Sequence, residues 1–239
     1  MIFFDLDNTL IDHNKSERLA ILKLCKTLQV HGDSDEISGA WQQISKQYYQ
    51  QYLSKSITFE EQRILRIRDF LTKLNAIDSN NHPIKIDSLS DIEIRKIFDS
   101  YLQLYESNWC IYEDVLPLLE SLGNTKLGII TNGQTSQQLK KLESTSINKY
   151  FSLVITSHDA GVSKPDYKLF MYAAQKAKVP IKDCHYIGDD LENDAVAAYK
   201  SGMHGYWINR QGSMSVIPNN NIIMLKSLCE AIDIFLPRK

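Results

Sequence analysis

Apolar runs in this chain repeatedly break off into polar, chemically capable residues, and that recurrence constrains the fold more than any other feature. Met1-Ile2-Phe3-Phe4 gives way to Asp5-Leu6-Asp7, and Leu127-Gly128-Ile129-Ile130 gives way to Thr131-Asn132-Gly133. Leu153-Val154-Ile155-Thr156 is followed by His158, and Cys184-His185-Tyr186-Ile187 by Gly188-Asp189-Asp190. Tyr206-Trp207-Ile208 and Ile222-Ile223-Met224 make two last short runs before a C-terminal helix. Short continuous apolar runs bounded by polar residues read as buried strands. Helical patterns lie between them: one ending on Gly123, a polar helix with Leu139 and Leu142, one opened by Pro165 and running through Ala177, and one around Ala195–Tyr199. Strand–helix alternation of this kind predicts an α/β fold, a doubly wound parallel sheet with helices on both faces.

The alternation is interrupted once. From about Lys15 to Trp109 the pattern is almost wholly helical, with Leu19, Leu22, Leu24 and Leu28 in one helix and Phe59, Ile64, Ile67, Phe70, Leu71 and Leu74 in another. Trp41, Ile44, Tyr48, Tyr49 and Tyr52 predict an aromatic-rich helix between these, and a further helix spans about Ser90–Ser107. The polar stretch Asn75–Asp91, with Asn80-Asn81-His82-Pro83, reads as a loop. The expected organisation is an α/β core from residues 1–14 and 108–239, interrupted by a helical domain over 15–107. Aromatic residues at helical spacing serve chiefly as core, and stacking of Trp41, Tyr48, Tyr49 or Tyr52 on a substrate ring is the alternative.

Bulk properties exclude several partners. A formal net charge of −2 over 239 residues offers no field for a nucleic-acid polymer or an anionic membrane. Met1–Phe4 is too short for a leader or a span, so a cytoplasmic protein is expected. Cys25, Cys110, Cys184 and Cys229 form no CxxC pair, and the six histidines show no HxxxH spacing. His158, just after a strand, reads as an ordinary loop residue, with a place near the pocket rim as the alternative. A monomer and a dimer are equally compatible with the sequence.

In parallel α/β sheets ligands gather at the carboxyl ends of the strands, which directs attention to Asp5, Asp7, Thr131, Asn132, Asp189 and Asp190, with Lys164 ahead of a helix. Two residues apart on a strand end, the Asp5 and Asp7 side chains are expected to lean the same way. Two such carboxylates repel unless a cation sits between them. Mg²⁺ meets that need with oxygen ligands, and Asp189 adds a third carboxylate. Lys164, the Thr131 hydroxyl and backbone N–H groups around Asn132-Gly133 would receive a phosphoryl group. One carboxylate could attack phosphorus while the other protonates the leaving alkoxide and then deprotonates water.

These residues resemble the motifs of the haloacid dehalogenase superfamily. Asp5-Leu6-Asp7-Asn8-Thr9 is similar to its DxDxT motif, Thr131-Asn132-Gly133 to the second, Ser163-Lys164-Pro165-Asp166 to the third, and Gly188-Asp189-Asp190-Leu191-Glu192-Asn193-Asp194 to the fourth, in the family's order. The resemblance implies a Rossmann-like core and a helical cap that closes over the pocket and contributes specificity. It makes Asp5 the nucleophile and a metal ligand, and Asp7 the general acid/base, also holding the metal through its main-chain carbonyl. Thr131, Asn132 and Lys164 would bind phosphate and Asp189 would ligate Mg²⁺. Asp194 would support the site from behind, near Lys164, with Asp190 beside it in no defined role.

Asp7 favours phosphate esters over haloacids, since a halide leaving group needs no proton. The run Thr131-Asn132-Gly133-Gln134, with Gln137-Gln138, Lys141-Leu142 and Trp207-Ile208-Asn209-Arg210, is similar to members acting on nucleoside monophosphates and other small phosphomonoesters. The expected partner is a small phosphate ester, nucleoside monophosphates ahead of sugar phosphates. The competing classes are a phosphotransferase or mutase, a haloacid dehalogenase, and a binding protein that kept the fold without the activity.

Overall fold

The computed structural model describes residues 1–78, 83–210, 212 and 220–236. It divides into two compact units, one of Met1–His13 with Trp109–Lys239 and one of Asn14–Asn108.

The first unit is built on a six-stranded parallel sheet in the order β3-β2-β1-β4-β5-β6. The strands are β1 (Ile2–Phe4), β2 (Leu127–Thr131), β3 (Phe151–Thr156), β4 (His185–Gly188), β5 (His204–Ile208) and β6 (Ile223–Leu225). The strand order reverses between β1 and β4, the crevice position of doubly wound sheets. Phe4 lies opposite Ile129 on one side and Ile187 on the other, so β1 is central and its residues are buried on both faces. Ile2 and Phe4 pack into one layer with Val115, Leu118 and Leu119, while Phe3 packs into the other with Leu169, Phe170 and Ala198. Full burial of each phenylalanine contributes about 2–3 kcal/mol. The sheet is therefore covered on both sides, as expected of a Rossmann-like core.

Helices α1 (His13–Thr27), α2 (Ser34–Leu53), α3 (Phe59–Ile77) and α4 (Asp91–Glu106) account for the second unit. Asp33 caps α2 by accepting from the Asp35 and Glu36 N–H groups. Reciprocal capping boxes start α3 (Thr58 with Glu61) and α4 (Ser90 with Glu93). The aromatic prediction resolves as core: Trp41 is buried, 5.1 Å from Phe70 and 4.4 Å from Tyr101 between ring centroids. Its indole N–H donates to Tyr101 Oη at 3.2 Å. Tyr48 is buried too and donates to Asp69, whereas Tyr49 and Tyr52 are half-buried and pair with each other. The expected loop begins later than Asn75, because α3 continues to Ile77; Asn75 instead clasps Ile84 through hydrogen bonds of 2.9 and 2.8 Å. Asn80, Asn81 and His82 lie outside the described residues.

In the core, α5 (Val115–Ser121), α6 (Thr135–Ser144), α7 (Ser157–Ala160), α8 (Tyr167–Ala177), α9 (Ala197–Ser201) and α10 (Cys229–Phe235) connect or cover the strands. Helix α8 begins two residues after Pro165, because the Asp166 carboxylate accepts from Lys168 N–H and sets the cap one residue later. A π-helical turn, Leu191–Val196, precedes α9. Among the described residues no helix is long and apolar enough to cross a membrane.

Candidate active site

The strand ends and the segments that follow them bring together Asp5, Lys164, Asp189 and Asp194 from three separate stretches of the sequence. Asp5, just past β1, is pinned when its N–H donates to Ile187 O of β4 at 2.8 Å. Its Oδ1 is 2.6 Å from Lys164 Nζ, and the same ammonium stands 2.6 Å from Asp194 Oδ1. One carboxylate oxygen each from Asp5, Asp189 and Asp194 lies within 4.8 Å of the others. The Thr9 hydroxyl bridges this group, 3.5 Å from Asp5 Oδ2 and 3.4 Å from Asp189 Oδ1.

With all three carboxylates ionised, one ammonium would leave two negative charges uncompensated. Burial, partly opposed by Lys164 and reinforced by Asp194, raises the Asp5 carboxyl to about 7. Burial and the neighbouring Asp5 and Asp194 raise Asp189 to about 8. Burial alone would lower Lys164, but Asp194 and Asp5 carry it well above its ordinary range, so it stays a cation. A compact all-oxygen donor set short of positive charge fits a hard divalent cation.

Asp194 holds Lys164 more than it faces outward. Its Oδ1 meets Lys164 and the Tyr186 hydroxyl (3.0 Å), and its Oδ2 accepts from Asp190 N–H (3.0 Å). The carboxyl lies across Gly188, where a Cβ would collide with Asp194 Cβ and Cγ, so the strand end requires glycine. Asp190 is exposed and caps the following turn, accepting from Glu192 and Asn193 N–H. Its side chain is committed to that cap. Asp189 is half-buried, and its carbonyl accepts from Trp207 Nε1 at 2.9 Å.

The second motif is arranged differently from the sequence expectation. Thr131 is buried, with its hydroxyl accepting from Gln138 Nε2 at 2.9 Å. The Asn132 side chain clasps the main chain of Lys164, donating to its carbonyl (3.1 Å) and accepting from its N–H (2.9 Å). It fixes the lysine loop, and the Gly133 N–H is turned to Ser157 Oγ at 3.1 Å. His158 is exposed in α7.

Asp7 lies apart from the carboxylate group. β1 ends at Phe4, so the period-two argument does not reach residues 5–7, and Asn8 turns the chain with a left-handed φ of 59°. Both Asp7 oxygens meet Lys141 Nζ, at 2.6 and 2.7 Å, and Oδ2 also accepts from Gln138 Nε2 at 3.1 Å. Burial alone would raise this carboxyl, but Lys141 foremost, then His13, brings it down to about 2. Tyr186 carries site geometry that the sequence does not signal, and Gln138 and Lys141, noted in sequence only as part of a family likeness, contact Asp7 directly. Arg210 is occupied elsewhere: it grips Asp114 through two 2.9 Å bonds, donates to Thr9 O and lies 3.8 Å over the Tyr112 ring.

An aspartate-bearing strand end, a partnered lysine and clustered carboxylates sit on a doubly wound parallel sheet of the Rossmann-like class. Residues 2–208 match the haloacid dehalogenase-like hydrolase family, and the chain belongs to it. It is 26% identical over 210 residues to pyrimidine 5'-nucleotidase YjjG of Escherichia coli, covering 87% of this chain and 85% of that one. It is 26% identical over 250 residues to human N-acylneuraminate-9-phosphatase, covering 97% and 94%. Among solved structures, magnesium-bound HAD-hydrolase YfnB of Bacillus subtilis superposes with a TM-score of 0.78 at 20% identity, over 98% of this chain and 97% of that one, a likeness of fold.

Proposed function

We propose that this chain is a magnesium-dependent phosphomonoesterase of small phosphorylated metabolites, nucleoside monophosphates ahead of sugar phosphates, with Asp5 as the nucleophile. The observation that carries this reading is the convergence of the Asp5, Asp189 and Asp194 carboxyl groups beside a single ammonium, Lys164, which pairs with Asp5 and Asp194. Asp5 and Asp189 would hold Mg²⁺ through their carboxylates and Asp7 through its main-chain carbonyl. The ion supplies charge neutralisation, allowing an anionic nucleophile to meet an anionic ester.

Asp7 is an anion in the free enzyme and takes up a proton as the ester enters; Asp5 then attacks phosphorus, the bond to the leaving oxygen breaks, and the departing alkoxide takes that proton from Asp7. Water then attacks the phosphorus of the acyl phosphate, Asp7 receives its proton, and inorganic phosphate leaves with Asp5 restored. Lys164 and the Thr131 hydroxyl bind the non-bridging phosphoryl oxygens. Asp194, Tyr186 and Asn132 keep Lys164 in place. A proton-carrying residue at position 7 has work only with an alkoxide leaving group, which separates this reading from dehalogenation. Relatives named for a pyrimidine nucleotide and for a sugar-acid phosphate support small monoesters as the substrate class. We assign substrate selection to the helical insertion, as a cap.

Phosphate release from a panel of nucleotides and sugar phosphates, with Mg²⁺ or EDTA, tests the reading. Release that requires the metal and disappears in Asp5→Asn is the expected result. Transfer to an alcohol acceptor in place of water would replace it with a phosphotransferase.

A further inference from the structure

Lys141 is a buried cation that the reaction as drawn leaves without a task. Most residues of α6 are polar, yet Gln138 and Lys141, one turn apart, are both only 2% exposed. A buried ammonium needs a partner, and Lys141 donates to both oxygens of Asp7. The Gln138 amide spans Asp7 Oδ2 and the Thr131 hydroxyl, linking the proton-handling residue to the phosphate-binding one. His13 Nδ1 stands 4.0 Å from Asp7 Oδ1. A carboxylate offers about four lone-pair directions. Lys141 and Gln138 take three of them, so one remains for a transferred proton.

We propose that Lys141, with Gln138, is a positioning residue for Asp7, fixing the direction in which its carboxylate presents and receives a proton. The proposal rests on the phosphatase reading. Loosening Asp7 costs most where the leaving group needs a proton and least where it leaves unaided.

The test compares a simple alkyl phosphate with p-nitrophenyl phosphate in wild type, Lys141→Met, Gln138→Leu, Asp7→Asn and the Asp7→Asn/Lys141→Met double variant. Lys141→Met should lower kcat about 100-fold for the alkyl ester and less than about 10-fold for the nitrophenyl ester, with KM nearly unchanged. In the Asp7→Asn background the same substitution should cost no more than about twofold, since the lysine acts only through Asp7. Equal slowing of both esters, a rise in KM instead of a fall in kcat, or full additivity with Asp7→Asn would overturn the proposal. If Lys141→Met does not fold, Gln138→Leu decides: the ratio between the two esters must shift the same way, and an unchanged ratio overturns it. No release by wild type would sink the phosphatase reading and this proposal with it. Release by wild type with indifferent variants sinks the positioning role alone.

Discussion

At the scale of single residues, the chemistry depends on how buried charges are balanced. Gly188 is the clearest case, since Asp194 occupies the space a side chain would need. Gly188→Ala should displace Asp194 from Lys164, cost about 1–3 kcal/mol in a denaturant titration, and reduce phosphate release more than stability alone explains. The raised Asp5 and Asp189 carboxyls give a second prediction. In the metal-free fold they keep protons at about 7 and 8 that the unfolded chain has already released, so folding binds protons and stability falls as pH rises through that range. His185 works in the opposite sense: burial first, then His204, lowers it to about 4, so its contribution is complete once pH exceeds 6.5. Between pH 6.5 and 8 in EDTA the melting temperature should therefore decline, and Mg²⁺ should restore most at the upper end, where fewer protons compete for the oxygens. A metal-free melting temperature that climbs across this window would contradict the charge assignment.

At the scale of elements, capping and packing explain the helical unit without reference to substrate. Thr58→Ala removes one half of the α3 capping box and should cost about 1 kcal/mol. Trp41→Ala removes a ring packed against Phe70 and Tyr101 and should cost about 3–5 kcal/mol. Thermal and denaturant unfolding check both. The strands were readable because each is a short apolar run that stops at a polar residue, and Asp5, Thr131 and Asp189 stand at those stops. Helix α6 was not readable in the same way. A glutamine and a lysine one turn apart look alike in sequence whether they face water or a buried carboxylate, and only the fold brings Asp7 to them. Pro165 misled by a similar route, because the Asp166 carboxylate, not the proline, sets the start of α8.

At the scale of the whole molecule, a sheet that reverses its strand order beside β1 gathers distant residues, and in sequence the helical unit is inserted between Asp5 and Thr131. The order of the four motifs was legible because parallel strands place their carboxyl ends on one edge regardless of separation in sequence. The division of labour within the motifs was less so: Asn132 holds the lysine loop, Asp190 caps a turn and Arg210 locks Asp114, roles fixed by tertiary hydrogen bonds. The central claim is that Asp5 carries the phosphoryl group. It is tested most directly by acid-quenching the enzyme during turnover and locating any phosphoryl mass on its peptides. The account predicts one phosphoryl group on the N-terminal peptide at Asp5, absent from Asp5→Asn. Turnover with that peptide unmodified at every quench time, or with the group on another residue, would contradict it.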